Sequence, residues 1–161
     1  MQPIDIGFDY AVKNNFFDND EFVVIKEEVE SLKRKAVDIP KDGLIAASIT
    51  KKVEKYFEFN IKQISLLQHT FNCNKPTFLP HVDLNPSTTA QIIIYIKGKD
   101  KQNSGTGFFR DEDVLKKDSS PVDVIGFQEN RALFFNSKMP HAPAYLGKWG
   151  LWRWAMIGFL K

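Results

Sequence analysis

The stretch Pro80-His81-Val82-Asp83 decides how this sequence is interpreted. Alternate side chains of an extended strand point to the same face, so His81 and Asp83 would both face the space that a β-sheet encloses. A second Pro-His pair, Pro140-His141, lies further along the chain and can bring another imidazole to the same place. Two imidazoles and one carboxylate form a facial ligand set that leaves three positions open on a metal ion. The sequence therefore predicts a metal site made by His81, Asp83 and His141, although either histidine taken alone could be structural.

The composition of the chain is that of an ordinary globular protein. Of its 161 residues, 43% are hydrophobic and 26% are charged, which provides a core and argues against disorder. The net charge is +2 and no basic stripe is present, so we expect no nucleic-acid partner. No apolar run is long enough for a membrane span, and the N-terminus lacks a signal-peptide pattern. The single cysteine, Cys73, excludes an internal disulfide, and we expect a cytoplasmic protein.

Apolar residues recur at helical spacing in the first third of the chain. One set runs from Phe22 to Ala36 after the cap candidates Asp18, Asn19 and Asp20, and a second runs from Ile45 to Phe57. These patterns predict two amphipathic helices that pack against a sheet. Alternation of apolar and polar residues over 4–10 predicts a strand before them.

After residue 60 the residue pattern changes from helical to β. Short strands are predicted at 61–71, 77–79, 91–96, 107–109, 122–127, 131–135 and 152–160. Two early helices followed by about eight short strands predict an α+β, mainly β fold, with helices on one side of a β-sandwich or jelly roll. We expect a single domain over 1–161, with helical support at 18–58 and a β core at 61–161.

Arg153 lies between Trp152 and Trp154 in the last predicted strand, which is otherwise apolar. A guanidinium in that setting needs an anionic partner, unless the side chain extends its head into water. Its planar pair of donors suits a carboxylate better than an ammonium does. We therefore predict that Arg153 binds a carboxylate, with Lys148 as the alternative cation. Arg131 begins another strand and is either a surface residue or a substrate contact.

Two further motifs lie between the histidines. Ser104-Gly105-Thr106-Gly107-Phe108-Phe109 is a glycine-rich strand, and Asn130-Arg131-Ala132-Leu133-Phe134-Phe135 precedes His141. With the His-x-Asp motif and Arg153, in this order, the chain resembles the Fe(II)/2-oxoglutarate-dependent dioxygenase superfamily, and most of all its small prolyl-4-hydroxylase-like branch. The segment 12–17, followed by a helix, is similar to the start of that domain. The resemblance implies a double-stranded β-helix, a cupin-like jelly roll with the metal inside.

The resemblance also implies a function. Fe(II) would be held by His81, Asp83 and His141, and 2-oxoglutarate would chelate it while Arg153 binds the distal carboxylate. O2 would be the second co-substrate, and a small-molecule or peptide substrate would be hydroxylated with release of succinate and CO2. A peptidyl side chain, an amino acid and another small metabolite remain open as substrates, and we expect selectivity from residues 98–105, 111–121 and the N-terminal segment.

One feature of the superfamily is missing. Its members often have a tyrosine ahead of the first metal ligand that hydrogen-bonds the co-substrate, whereas residues 71–74 contain no phenol. Thr106, Tyr95 or Gln91 is expected to replace it, and the sequence leaves the choice open. His69 is expected to be structural or to lie in the outer part of the cavity. The competing interpretation is a non-oxygenase cupin-like protein, either a metal-dependent isomerase or a ligand-binding jelly roll, which would not need a cation at Arg153.

Overall fold

The computed structural model describes residues 10–32, 36–72, 79–83, 87–98, 104–145 and 152–161. These residues form nine β-strands, two α-helices and one short 3-10 turn. In chain order the elements are β1 (Tyr10–Lys13), α1 (Asn19–Ser31), β2 (Ala36–Ile39), α2 (Leu44–Phe57), β3 (Ile64–Asn72), β4 (Ala90–Gly98), β5 (Ser104–Phe108), the 3-10 turn (Asp111–Asp113), β6 (Asp123–Gly126), β7 (Arg131–Asn136), β8 (His141–Tyr145) and β9 (Trp152–Leu160).

The strands form two antiparallel sheets. The large sheet has the order β1-β7-β4-β9-β3-β2, and the small sheet has the order β6-β5-β8. His81 extends the small sheet because it forms an isolated antiparallel bridge to His141 on β8. From β4 to β9 the chain passes between the two sheets several times, as in a jelly roll. The prediction of a mainly β fold is confirmed.

The two helices cover the outer face of the large sheet. Apolar residues on the inward stripes of α1 and α2 share one buried core with alternate residues of β4, β7 and β9; they include Ile25, Val29, Ile49, Val53, Ile92, Ile94, Phe134 and Met156. Phe16 and Phe17 lead into α1 and are fully buried in the same core. Asp18 caps α1 through a capping box with Glu21, which explains why the helix begins there. The helix-on-sheet packing predicted from the 3.6-residue period is therefore present.

The inner face of the large sheet packs against the small sheet. The intervening residues of β4 and β7, among them Ile93, Tyr95, Leu133 and Phe135, form a second core with Phe108 and Phe127. Because side chains alternate along a strand, Gln91 on β4 and Arg153 on β9 fall on this inner face. Polar groups from two strands are thus directed into the space between the sheets.

The first helix is shorter than predicted. Residues 22–36 were expected to continue one helical stripe, but α1 ends at Ser31 and Ala36–Ile39 form β2, paired with β3. Val37 and Ile39 favour a strand, and the residue before Pro40 is disfavoured in a helix. The prediction that the helix reaches Ala36 is wrong because the pairing with β3 is a long-range contact.

Some predicted segments lie wholly or partly outside the described residues. The strand predicted at 4–10 is described only at Tyr10, where β1 begins, and that at 77–79 only at Leu79. Most of 98–105 is likewise outside. No helix among the described residues is long and apolar enough to cross a membrane.

Candidate active site

His81 and His141 face each other across a pair of backbone hydrogen bonds. The His81 N–H donates to the His141 carbonyl at 3.0 Å, and the His141 N–H donates to the His81 carbonyl at 2.9 Å. Residues paired in this way in antiparallel strands place their side chains on the same face. The two ring centroids are accordingly only 4.8 Å apart.

The same local sequence orients both rings. Leu79-Pro80-His81 and Met139-Pro140-His141 are two copies of an apolar-Pro-His motif. Nδ1 of His81 lies 3.0 Å from the carbonyl oxygen of Leu79, and Nδ1 of His141 lies 3.0 Å from that of Met139. A carbonyl only accepts, so we assign the proton of each neutral ring to Nδ1, which leaves a lone pair on Nε2. Metal-binding histidines are usually oriented by a second hydrogen bond of this kind.

Asp83 completes the cluster. One oxygen, Oδ1, lies 3.9 Å from Nε2 of His81, and the other, Oδ2, lies 3.5 Å from Nε2 of His141. One potential ligand atom from each of the three residues lies within 4.8 Å of the other two, which is compact enough for one metal ion. The structure thus brings together the three side chains that the sequence singled out.

The cluster is closed on one side and open on the other. The side chain of His141 is 8% exposed and packs against Phe135 of the inner core, whereas those of His81 and Asp83 are 38% and 32% exposed. The imidazole of His141, whose Nε2 lies 3.5 Å from Oδ2, can hydrogen-bond the carboxylate when it carries a second proton, and this lowers the pKa of Asp83, while partial burial opposes the shift. A hydrogen bond from Gln91 helps to keep the pKa below its ordinary value of 3.8, so the carboxylate is ionised at neutral pH.

A second polar group surrounds Arg153. The guanidinium is buried, with the residue 6% exposed, and Nη1 donates to the carbonyl oxygen of Gly105. Its carbon atom lies 5.2 Å from the centroid of the Tyr95 ring. The Tyr95 hydroxyl lies 2.8 Å from Oγ1 of Thr106, and both residues are almost fully buried. Of the three candidates for co-substrate binding, Tyr95 and Thr106 therefore lie in the group that contains Arg153.

The third candidate contacts the histidine cluster instead. Gln91 is fully buried, and its Nε2 donates to Oδ2 of Asp83. Arg131 donates to side chains of Asn14 and Gln128 and to the carbonyl of Gly126, so it holds neighbouring backbone segments together. Lys148 and the side chain of His69 lie outside the described residues.

Sequence reasoning did not anticipate how the segment after β5 approaches the site. The Phe109 N–H donates to the carbonyl of Pro140 at 2.9 Å, and the Leu115 N–H donates to that of Pro80 at 2.8 Å. Both acceptors immediately precede a site histidine. The same segment borders a charged surface depression of about 800 Å³, lined by Arg110, Asp113, Lys116, Lys117, Asp118, Ser119, Ser120, Pro121 and Val122. The repeated Pro-His pairs were the visible signal, but their partners are set by tertiary structure.

The fold is similar to that of several solved structures. A prolyl-4-hydroxylase from Pseudomonas putida matches with a TM-score of 0.61 and 10% identity over 95% of this chain and 92% of that one. HygX from Streptomyces hygroscopicus, solved with nickel and 2-oxoglutarate bound, matches with a TM-score of 0.68 and 10% identity over 94% and 81%. The non-heme alpha ketoglutarate dependent epimerase SnoN from nogalamycin biosynthesis matches with a TM-score of 0.58 and 10% identity over 95% and 78%.

These likenesses concern the fold. No known family profile and no curated protein matches the sequence. The resemblance to the 2-oxoglutarate-dependent oxygenases that the motifs predicted is confirmed for the overall fold, which these structures share.

Proposed function

We propose that this chain is an Fe(II)- and 2-oxoglutarate-dependent dioxygenase that hydroxylates a small molecule or a peptidyl side chain and releases succinate and CO2. The observation that carries the proposal is the ligand cluster: two imidazoles and a carboxylate within 4.8 Å, with each Nδ1 held by a backbone carbonyl. Imidazole and carboxylate in a three-residue set suit Fe(II) and leave positions for a chelating co-substrate and oxygen.

The protein residues have separate roles in this proposal. His81, Asp83 and His141 hold the metal. Each ring would bind it through the lone pair of Nε2, so metal binding requires no proton to leave Nδ1. Bound iron and 2-oxoglutarate supply the oxidising chemistry together with O2. Arg153 binds the distal carboxylate of 2-oxoglutarate through its guanidinium, and the hydroxyls of Tyr95 and Thr106 take the place of the missing upstream tyrosine. Phe135 and the inner core around it keep the closed side of the site dry.

We assign the two sheets to a double-stranded β-helix, with β3, β9, β4 and β7 as its large sheet. The strand at His81, β8, β5 and β6 form the small sheet, whose order supports the assignment. The site then lies between the sheets, where His141 and Arg153 are both buried.

The substrate approaches from the open side in this account. The loop 111–121 contacts the segment that carries His81 and borders the surface depression, so it is placed to select the substrate. Its mixed charges suit a polar substrate.

A second outcome of the same chemistry is epimerisation. The similarity to SnoN shows that the fold also serves a 2-oxoglutarate-dependent epimerase, which makes inversion at a substrate carbon the alternative to hydroxylation. A non-oxygenase isomerase is less well supported, because it gives no reason for a guanidinium buried at Arg153.

Anaerobic addition of Fe(II) and then 2-oxoglutarate tests the proposal. We expect a visible charge-transfer band that needs both components, and succinate formation when oxygen is admitted. The matched control is His69→Ala, which removes the remaining histidine and should keep the band. Iron binding without any 2-oxoglutarate-dependent band would contradict the dioxygenase and favour the cupin-like alternative.

A further inference from the structure

Gln91 contacts a predicted metal ligand from inside the core. It lies on the inner face of β4, and its side chain is fully buried. Nε2 donates to Oδ2 of Asp83. An ionised carboxylate only accepts hydrogen bonds, so the amide has one orientation, with nitrogen toward Asp83 and oxygen away from it.

The other end of the amide has no partner. Oε1 of Gln91 is buried and has no hydrogen-bond donor among the residues that the structure describes. A buried acceptor without a donor costs stability, and an apolar side chain of similar size would avoid that cost. Packing alone therefore does not explain a glutamine at this position, whereas the contact with Asp83 does.

The contact also distinguishes the two oxygens of the carboxylate, because Gln91 donates to Oδ2 and not to Oδ1. Oδ2 is engaged by Gln91 and lies 3.5 Å from Nε2 of His141, while Oδ1 lies 3.9 Å from Nε2 of His81. Asp83 is 32% exposed on its side chain and would otherwise be able to rotate. Hydrogen bonds to a ligating carboxylate orient it and commonly set metal affinity.

We propose that Gln91 is a positioning residue for the metal site: it holds one oxygen of Asp83 so that the carboxylate stays in the ligand cluster with His81 and His141. This inference rests on the proposed function, because it requires that the cluster binds a metal. It assigns Gln91 to the metal site, beside Asp83, where the sequence had offered it as a co-substrate contact.

Gln91→Leu and Gln91→Met test the inference, with Mn²⁺ as the probe and no 2-oxoglutarate present. Calorimetric titration should show about 10–100-fold weaker Mn²⁺ binding in both variants. The melting temperature of the metal-free protein should be unchanged or higher, because the unpaired oxygen is gone. If Gln91 had only a structural role, both variants would keep the parental Mn²⁺ affinity and would melt at a lower temperature. Two variants are used so that the test can be made with one of them if the other does not fold.

Gln68→Leu is the matched control. Gln68 is also a fully buried glutamine, but it lies on β3 and has no hydrogen bond at either end of its amide among the described residues. It should keep the parental Mn²⁺ affinity. Affinity within about threefold of the parent in the Gln91 variants would overturn the inference, as would an equal loss in Gln68→Leu. If the parent itself binds no Mn²⁺, the proposed function fails first, so the two failures are distinguishable.

Discussion

Gly105 and Gly126 lie opposite each other in the register of β5 and β6, but only one of them has room for a side chain. A Cβ atom at Gly105 would lie 2.1 Å from the carbonyl oxygen of Ile125, whereas a Cβ at Gly126 would meet nothing within 4 Å. The carbonyl of Gly105 accepts the hydrogen bond from Arg153. Gly105 of the glycine-rich strand is therefore needed where the small sheet meets the buried guanidinium.

Gly105→Ala should destabilise the protein and Gly126→Ala should not. The clash with a strand backbone must displace β6 from β5, for which we expect a loss of about 1–3 kcal/mol. Gly126→Ala should change the free energy of unfolding by less than about 1 kcal/mol, in the favourable direction, because it restricts the unfolded chain. Denaturant unfolding of both variants measures the difference. Equal stabilities would show that the pairing of these glycines is looser than described.

Arg153→Ala should weaken 2-oxoglutarate binding strongly. Removing one partner of a buried ion pair costs about 3–5 kcal/mol, which corresponds to a loss of about a hundredfold to several-thousandfold in affinity. Arg153→Lys should restore only part of it, since an ammonium lacks the two-donor fork. The measurement is a 2-oxoglutarate titration of the metal-loaded protein.

Two controls accompany this titration. Metal binding should survive in Arg153→Ala, because the guanidinium is not a ligand. Lys148→Ala should bind 2-oxoglutarate like the parent. A large loss in Lys148→Ala with unchanged binding in Arg153→Ala would move the anchor to Lys148, and no loss in either would remove the 2-oxoglutarate interpretation.

Gln68→Leu should stabilise the protein. The amide is fully buried, and neither its oxygen nor its nitrogen has a partner among the described residues. Each buried unpaired polar group costs about 1–3 kcal/mol, so an apolar replacement should raise the free energy of unfolding by about 1 kcal/mol or more. The exposed Gln63 provides the control, since Gln63→Leu should change little. A decrease in stability for Gln68→Leu would mean that the amide has a partner outside the described residues.

Glu21 should contribute stability that disappears in acid. Partial burial raises the pKa of Glu21, but hydrogen bonds from Ser48 and Lys52 outweigh it and hold the pKa below its ordinary value of 4.5. A lowered folded-state pKa stabilises above the unfolded value, and this stabilisation is lost as pH falls through the folded-state pKa. Glu21→Gln should therefore cost about 0.5–1 kcal/mol at pH 7, typical of a favourable surface ion pair, and nothing at low pH.

The pH dependence is measured by unfolding the parent and Glu21→Gln from pH 7 down to pH 2. Glu27 lies exposed on the same helix outside this ion pair, and Glu27→Gln, the matched control, should change the free energy of unfolding at pH 7 less than Glu21→Gln does. A Glu21→Gln difference that stays constant below pH 4.5 would contradict the role given to its ion pair with Lys52.

The parts of the fold that depend on local sequence were predictable. The helical period predicted α2, and the cap candidates Asp18, Asn19 and Asp20 marked the start of α1, where the structure has Asp18 as the cap. The His-x-Asp spacing predicted that His81 and Asp83 share one face, because the alternation of side chains along a strand is a local property. The end of α1 was missed because Leu32 and Ala36 continue the period, while β2 forms only by pairing with β3.

Contacts between distant strands were not predictable from one sequence. Whether Gln91, Tyr95 or Thr106 joins the co-substrate group depends on how β4 faces β5, and alternation places Gln91 and Tyr95 on the same face of β4. They have different partners because Asp83 lies opposite one and Thr106 opposite the other. The carbonyls that orient the histidines are two residues upstream, but only the folded backbone at each proline brings them to the ring.

Equilibrium binding of a divalent metal to the ligand variants tests the central claim most directly. The parent should bind a single Fe(II) or Mn²⁺ ion, more weakly as the pH falls because both imidazoles must be neutral to bind. His81→Ala, Asp83→Ala and His141→Ala should each abolish binding while their circular dichroism stays that of a folded protein, and His69→Ala should bind like the parent. Parental metal affinity in a folded His81→Ala or His141→Ala variant would contradict the account.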